Sequence, residues 1–279
     1  MRRTLLAVLA IAVVLGGTLA GGAMGRTRRE ALWQPAGPMT PPVPTPSPTP
    51  PPSPSASPSA RPTPSAPGTP SASPSTSVDG PGGAIRFTGT EAVALTFDDG
   101  PDPVNTPKIL DILHQNGVKA TFCLVGFRAR DHPALVRRIA AEGHTLCNHS
   151  WQHLFDLAKH DDGYIRADLQ RTNDAIHNAA PGVPIPYFRA PGGNFTPGLV
   201  ATARQLGMRS AYWDVDPRDW ESTKYGHGAP MIDHVVAAVN GSTRPGSIVL
   251  SHDNGKPDTI EAYRRLLPTL KTRFTLVPL

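Results

Sequence analysis

Ala92-Val93-Ala94-Leu95-Thr96-Phe97-Asp98-Asp99-Gly100-Pro101 is the stretch from which the fold can be read. A run of apolar and β-forming residues meets two adjacent carboxylates, and Gly-Pro then turns the chain. The run is too short for a helix and apolar throughout, as a strand buried on both faces should be. Thr106-Pro107 follows, with Thr as a helix N-cap and Pro at the first helical position, and Ile109, Leu110 and Leu113 share one helical face. Strand, turn with acids, helix is therefore the first unit, and the pattern repeats downstream.

Ala120–Val125 reads as a second strand, and Pro133–Glu142 as a helix stopped by Gly143. His144–Cys147 is a third strand, followed by a helix over Tyr164–Ala179 with Ile165, Leu169, Thr172 and Ile176 at helical spacing. Pro186–Arg189 is a fourth strand, and Thr196-Pro197 caps a helix that ends at Gly207. Arg209–Val215 is a fifth strand, Met231–Val239 a helix, Ser247–Ser251 a sixth strand, Ile260–Leu270 a helix and Phe274–Val277 a seventh strand. Such alternation predicts parallel βα units, either as a doubly wound sheet or as a closed or nearly closed barrel. The barrel is favoured because Asp98, Asp99, His149, Arg189, Asp219 and His252 all fall at or just past predicted strand C-termini. Chemistry gathered from many strands at one rim is the habit of barrels.

Outward from this region the composition changes. About half of the 33 prolines lie between Pro35 and Pro74, mixed with Ser, Thr and Ala. That segment lacks the apolar surface needed to offset chain ordering. Residues 26–79 are thus expected to be a linker, either a stiff spacer or a tether of no particular length. Residues 1–25 hold two arginines, an apolar run from Leu5 to Leu19 and a small-residue exit, the pattern of a signal peptide or of a membrane anchor. Either reading puts the folded part, 80–279, outside the cytoplasm, with membrane contact only through the N-terminal segment.

The formal charge is +5, but five arginines against Glu30 in the first thirty residues account for +4 of it. A foldable region near +1 lacks the basic stripe of a nucleic-acid binder. The two cysteines, Cys123 and Cys147, fall near the ends of successive predicted strands, which favours a disulfide in an exported protein over two buried thiols.

Two clusters carry the chemistry. In His149-Ser150-Trp151-Gln152-His153, two histidines four apart point the same way if the segment makes a helical turn, and neutral imidazoles are common zinc ligands. It is not the zincin pattern, which needs Glu directly after the first His. In Asp98-Asp99, adjacent carboxylates repel unless a cation lies between them and their surroundings. One carboxylate with two histidines makes a three-ligand site with open positions, and leaves the second carboxylate for proton transfer.

Thr96–Pro101, His149–His153, Arg189-Ala190-Pro191, Asp216–Trp220 and Leu250-Ser251-His252 resemble, in order and spacing, five motifs of the polysaccharide deacetylase family (the NodB-homology domain, carbohydrate esterase family four). The resemblance covers about residues 91–277. It implies a distorted (β/α)7 barrel, which agrees with the count of seven strands. It implies that Asp99, His149 and His153 hold a metal, zinc or another divalent ion such as cobalt. Asp98 is then the general base, His252 the general acid, Arg189 the anchor of Asp98 and Asp219 the partner of His252. Trp220 and Leu250 wall the pocket, and the backbone N–H of Gly192 faces the oxyanion. The family often has an aromatic residue after Arg-Ala-Pro, where this chain has Gly192-Gly193-Asn194. The missing ring is expected to remove one pocket wall and to bear on substrate choice. Trp151 either stacks on a sugar or packs internally.

The expected activity is metal-dependent removal of N-acetyl groups from a cell-wall glycan, with peptidoglycan amino sugars as the expected substrate. Chitin oligomers and acetylated xylan are alternatives that use the same site, and a wall-binding module without catalysis is the alternative of another class. An N-acetylated glycan is the expected partner, with no nucleic acid and no protein partner implied.

Overall fold

The computed structural model describes residues 79–279. The expected signal or anchor (1–25) and nearly all of the expected linker (26–79) lie outside the described residues. Seven strands form one parallel sheet: β1 (Val93–Asp98), β2 (Thr121–Leu124), β3 (Thr145–Asn148), β4 (Tyr187–Phe188), β5 (Arg209–Ser210), β6 (Ile248–His252) and β7 (Leu276–Val277). Their spatial order is β5-β4-β3-β2-β1-β6, and β7 pairs with the first two residues of β1. Eight helices connect them: α1 (Thr106–Asn116), α2 (Gly126–Asp131), α3 (Pro133–Ala141), α4 (Asp162–Ala179), α5 (Pro197–Gln205), α6 (Ser222–Tyr225), α7 (Ala229–Ser242) and α8 (Pro257–Arg273).

Every residue of β1 is buried, as a strand covered on both faces must be. Phe97 stacks on Phe122 of β2 at 5.3 Å and meets Tyr263 of α8 edge-on at 4.8 Å. These rings join sheet and helix layer in one apolar core. The sheet curls toward closure. Beyond β5, Val215 bridges to Val249 of β6, and Ile85 bridges to Ala211. The result is the distorted barrel of the sequence reading, with an irregular seam between its first and last neighbours. Among the described residues, no helix is long and apolar enough to cross a membrane.

Several elements differ in extent from expectation. β5 keeps ladder geometry for two residues where seven were expected, because the carbonyls of Ala211 and Tyr212 turn to accept hydrogen bonds from Arg189 at 3.1 Å each. Thr106 is the first residue of α1 and not its cap. Its hydroxyl donates to Asp253, while Asp102 Oδ1 accepts the N–H groups of Val104 and Asn105. Thr196 caps α5 as expected, accepting from the Leu199 N–H. Cys123 and Cys147 are direct register partners on β2 and β3, and their sulfurs are joined.

Candidate active site

The strand C-termini open into a cavity of about 350 Å³, lined by Asp98, Asp99, His149, His153, Phe155 and Trp220 among others. β1 delivers Asp98 as its last residue, and Asp99 follows with φ +73°. This left-handed backbone sends the two neighbouring carboxylates in different directions. Gly100 is required next: a Cβ there would lie 2.6 Å from the buried Asp253 carboxylate. Burial pushes that Asp253 carboxyl up to about 7.

β3 delivers His149. Its Nδ1–H donates to the Arg189 carbonyl at 2.8 Å, which fixes the tautomer and leaves the Nε2 lone pair facing inward. The segment to His153 is not the helical turn expected from the spacing. Ser150 (φ +62°) and His153 (φ +59°) are both left-handed, and Ser150 Oγ accepts the His153 N–H. Asn148 Oδ1 secures the Ser150 N–H at 2.9 Å. Two reversals of the backbone, not a helical repeat, bring the imidazoles together, with ring centroids 4.9 Å apart.

Asp99 Oδ1 lies 3.4 Å from His149 Nε2 and 3.2 Å from His153 Nε2. It is buried and has no hydrogen-bond donor. One ligand atom from each of the three residues falls within 4.8 Å of the others. Tetrahedral ligands about 2.1 Å from one ion would sit about 3.4 Å apart, so these residues fit a divalent cation. Burial works against a charge on Asp99, but the neighbouring imidazoles of His149, His252 and His153 outweigh it and hold its carboxyl well below the usual range.

Asp98 is separate from this trio. Its Oδ1 accepts from Arg189 Nη1 at 2.8 Å, and its Oδ2 stands 3.7 Å from His149 Nε2. Arg189, fully buried just past β4, also donates to Thr96 Oγ1 at 2.7 Å and to the carbonyls of Ala211 and Tyr212 just past β5. A buried guanidinium so fully engaged is a fixed counter-charge for Asp98. Thr96, which passes its own proton to the Val249 carbonyl, had no visible role in the sequence.

β6 delivers His252 beside Asp98, its register partner on β1. Asp219 holds it twice: Oδ1 accepts from Nδ1–H at 2.7 Å and Oδ2 from the backbone N–H at 2.9 Å. Thr259 Oγ1 adds a third donor to Asp219. Burial opposes a charge on His252, but the Asp219 carboxylate outweighs it and pushes the pKa up to about 9. Asp219 comes from the loop before α6 and not from a strand end.

Leu250, Gly192 and Trp220 line the cavity as expected, joined by Trp213 and Asp216. Trp151 does not. Its ring lies against the Arg171 guanidinium at 3.7 Å, outside this cavity, half-buried against the core. The pocket wall expected to be missing after Arg-Ala-Pro is supplied from elsewhere: a Cβ on Gly192 (φ +61°) would lie 2.7 Å from the ring of Phe155. Nothing in the sequence singled out Phe155, since a lone aromatic in a loop has no periodicity.

The polysaccharide deacetylase family model matches residues 86–211. Over 198 residues the chain is 39% identical to the chitooligosaccharide deacetylase of Sinorhizobium fredii, a match spanning 67% of this chain and 88% of the relative. The chain belongs to the polysaccharide deacetylase family. It is 36% identical over 184 residues to a peptidoglycan-N-acetylglucosamine deacetylase of Bacillus cereus, covering 64% of this chain and 81% of that one. The family 4 carbohydrate esterase of Streptomyces lividans, solved in complex with acetate, superposes with a TM-score of 0.60 at 31% identity, covering 67% of this chain and 91% of that one. A polysaccharide deacetylase is a hydrolase; the family match ends before Asp219 and His252, whose expected pairing is present as a 2.7 Å contact.

Proposed function

We propose that this deacetylase removes N-acetyl groups from amino-sugar units of peptidoglycan outside the cytoplasm, with a zinc ion held by Asp99, His149 and His153. The observation that carries the reading is the buried, donor-free Asp99 Oδ1 between two inward Nε2 atoms, with a second carboxylate kept apart by Arg189. A divalent ion in such a set polarises an acyl oxygen and acidifies water, and cobalt serves the same donor set.

The chain's own residues do the rest. Asp98, held by Arg189, takes the proton of the attacking water. The backbone N–H of Gly192, at the cavity wall, donates to the oxygen that gains negative charge. His252, kept charged by Asp219, gives its proton to the departing sugar amine, without which the tetrahedral species would revert to amide. Leu250 and Trp220 offer an apolar surface to the acetyl methyl and sugar. The products are acetate and a glucosamine-type unit, consistent with the acetate bound by the Streptomyces lividans relative.

The name of the Sinorhizobium fredii relative favours a second substrate, chitooligosaccharide, on the same machinery. The extracytoplasmic placement rests on the signal-like residues 1–25 and on the Cys123–Cys147 pair, since disulfides persist in oxidising compartments. Zinc-loaded protein is expected to release acetate from purified peptidoglycan faster than from chitotetraose. Release from chitotetraose alone would transfer the assignment to the second substrate, and release from neither would end both.

A further inference from the structure

Among the described residues four large hydrophobic side chains are exposed: Val104, Phe155, Tyr164 and Trp220. Two of the four, Phe155 and Trp220, line the same cavity as the catalytic groups. An exposed aromatic pair at one concave site signals a ligand with an apolar face. Phe155 is 63% exposed, yet its position is held from three sides. Its ring meets His153 edge-to-face at 5.0 Å and 84°, its carbonyl accepts from Asn194 Nδ2 at 2.9 Å, and Gly192 lies bare beneath it. Any side chain at position 192 would collide with the ring. The structure therefore spends a glycine to keep an aromatic ring at the cavity mouth.

We propose that Phe155 is a specificity-determining residue of this deacetylase, its ring receiving the apolar face of a pyranose in the glycan alongside Trp220. A β-linked glucosamine-type ring carries its substituents equatorially and presents axial C–H groups on each face. Those slightly positive C–H groups suit the negative face of an aromatic ring. Phe155 offers no hydrogen bond, so it selects for a sugar ring and contributes binding, while Asp98 and His252 contribute chemistry.

The inference deepens the deacetylase reading and rests on it, but binding can be read apart from turnover. Tetra-N-acetylchitotetraose serves as probe for the zinc-loaded full chain, with acetate release and calorimetric binding measured in parallel. Phe155→Ala is expected to raise KM and the dissociation constant about 3- to 10-fold, the span of an aromatic contact, with the larger part of the loss in KM and not in kcat. Phe155→Trp should restore both. Unchanged KM and binding in Phe155→Ala, a Phe155→Trp no better than Phe155→Ala, or a loss confined to kcat would each overturn the proposal. If the unaltered protein binds the oligomer through Phe155 but releases no acetate from any glycan, the deacetylase reading fails and the stacking role stands.

Discussion

Replacing Asp219 by Asn tests the proton-donor assignment with little change of shape. Asp219 is buried and meets His252 through two hydrogen bonds, so it is the main source of the charge that keeps the imidazole protonated. Burial acts the other way and survives the substitution, so the His252 pKa should drop from about 9 to 6.5 or below. That change corresponds to about 3 kcal/mol, and at pH 7.5 it takes the protonated fraction from ~97% to ~10% or less. The rate at that pH is expected to fall at least ~10-fold, because a general acid works only while it holds its proton. Activity should decline as pH rises through the His252 pKa, so the alkaline limb of the acetate-release profile moves down by more than two pH units. A bound cation offsets the pull of Asp98 and Asp99 on the imidazole in both proteins alike, which makes the comparison the diagnostic quantity. Folding is linked with the same sign. A raised histidine pKa contributes stability that is fully present below pH 6.5 and is lost as pH rises through about 9, a dependence the Asn variant should lack. An unchanged alkaline limb in Asp219→Asn would refute the assignment of His252 as the acid.

Other expectations follow from separate parts of the site. Asp98→Asn keeps an acceptor for Arg189 but cannot take a proton, so acetate release should drop about 100-fold or more while metal analysis still finds the ion. His149→Ala should reduce metal occupancy to background with far-UV circular dichroism unchanged, since the ladder of β3 is made by its backbone. Changing both Cys123 and Cys147 to Ser should lower unfolding free energy by about 3 kcal/mol in a denaturant titration, given a closed loop of roughly two dozen residues. Full reactivity of two thiols in the unreduced, unfolded protein would contradict that.

The parts of the fold that were legible share one property: they express burial. β1 is apolar over its whole length, and α4 repeats Ile165, Leu169, Thr172 and Ile176 on its core side, so periodicity reports them directly. The acids and imidazoles that converge on the cavity could be picked out because such groups at strand ends have few structural uses and stand in a family order. What escaped was decided by backbone conformation. Asp99, Ser150, His153 and Arg218 are the non-glycine residues with left-handed backbone among those described; two line the cavity, and the other two are chain neighbours of His149 and Asp219. No propensity announces such residues, because hydrogen bonds like that from the Ser150 N–H to Asn148 Oδ1, itself held by the Asn148 amide's bonds to Leu169 and Asn173, keep them there. The curtailed β5 escaped for a related reason: the carbonyls that follow it serve the side chain of Arg189, just past β4.

That side chain ties catalysis to architecture. Where the seam of the barrel lacks a regular ladder, one guanidinium laces β1, the end of β4 and the strand stub beyond it into a single knot. The carboxylate proposed to move protons is also the anion that makes this buried cation tolerable. A lineage abandoning the chemistry could trade Asp98 for a residue that still offers an acceptor, but an apolar residue there would leave Arg189 orphaned and pry the wall open from within. An apolar residue at 98 would have to be accompanied by a neutral residue at 189 or a replacement acceptor nearby, a paired change that should be readable in inactive descendants of the fold.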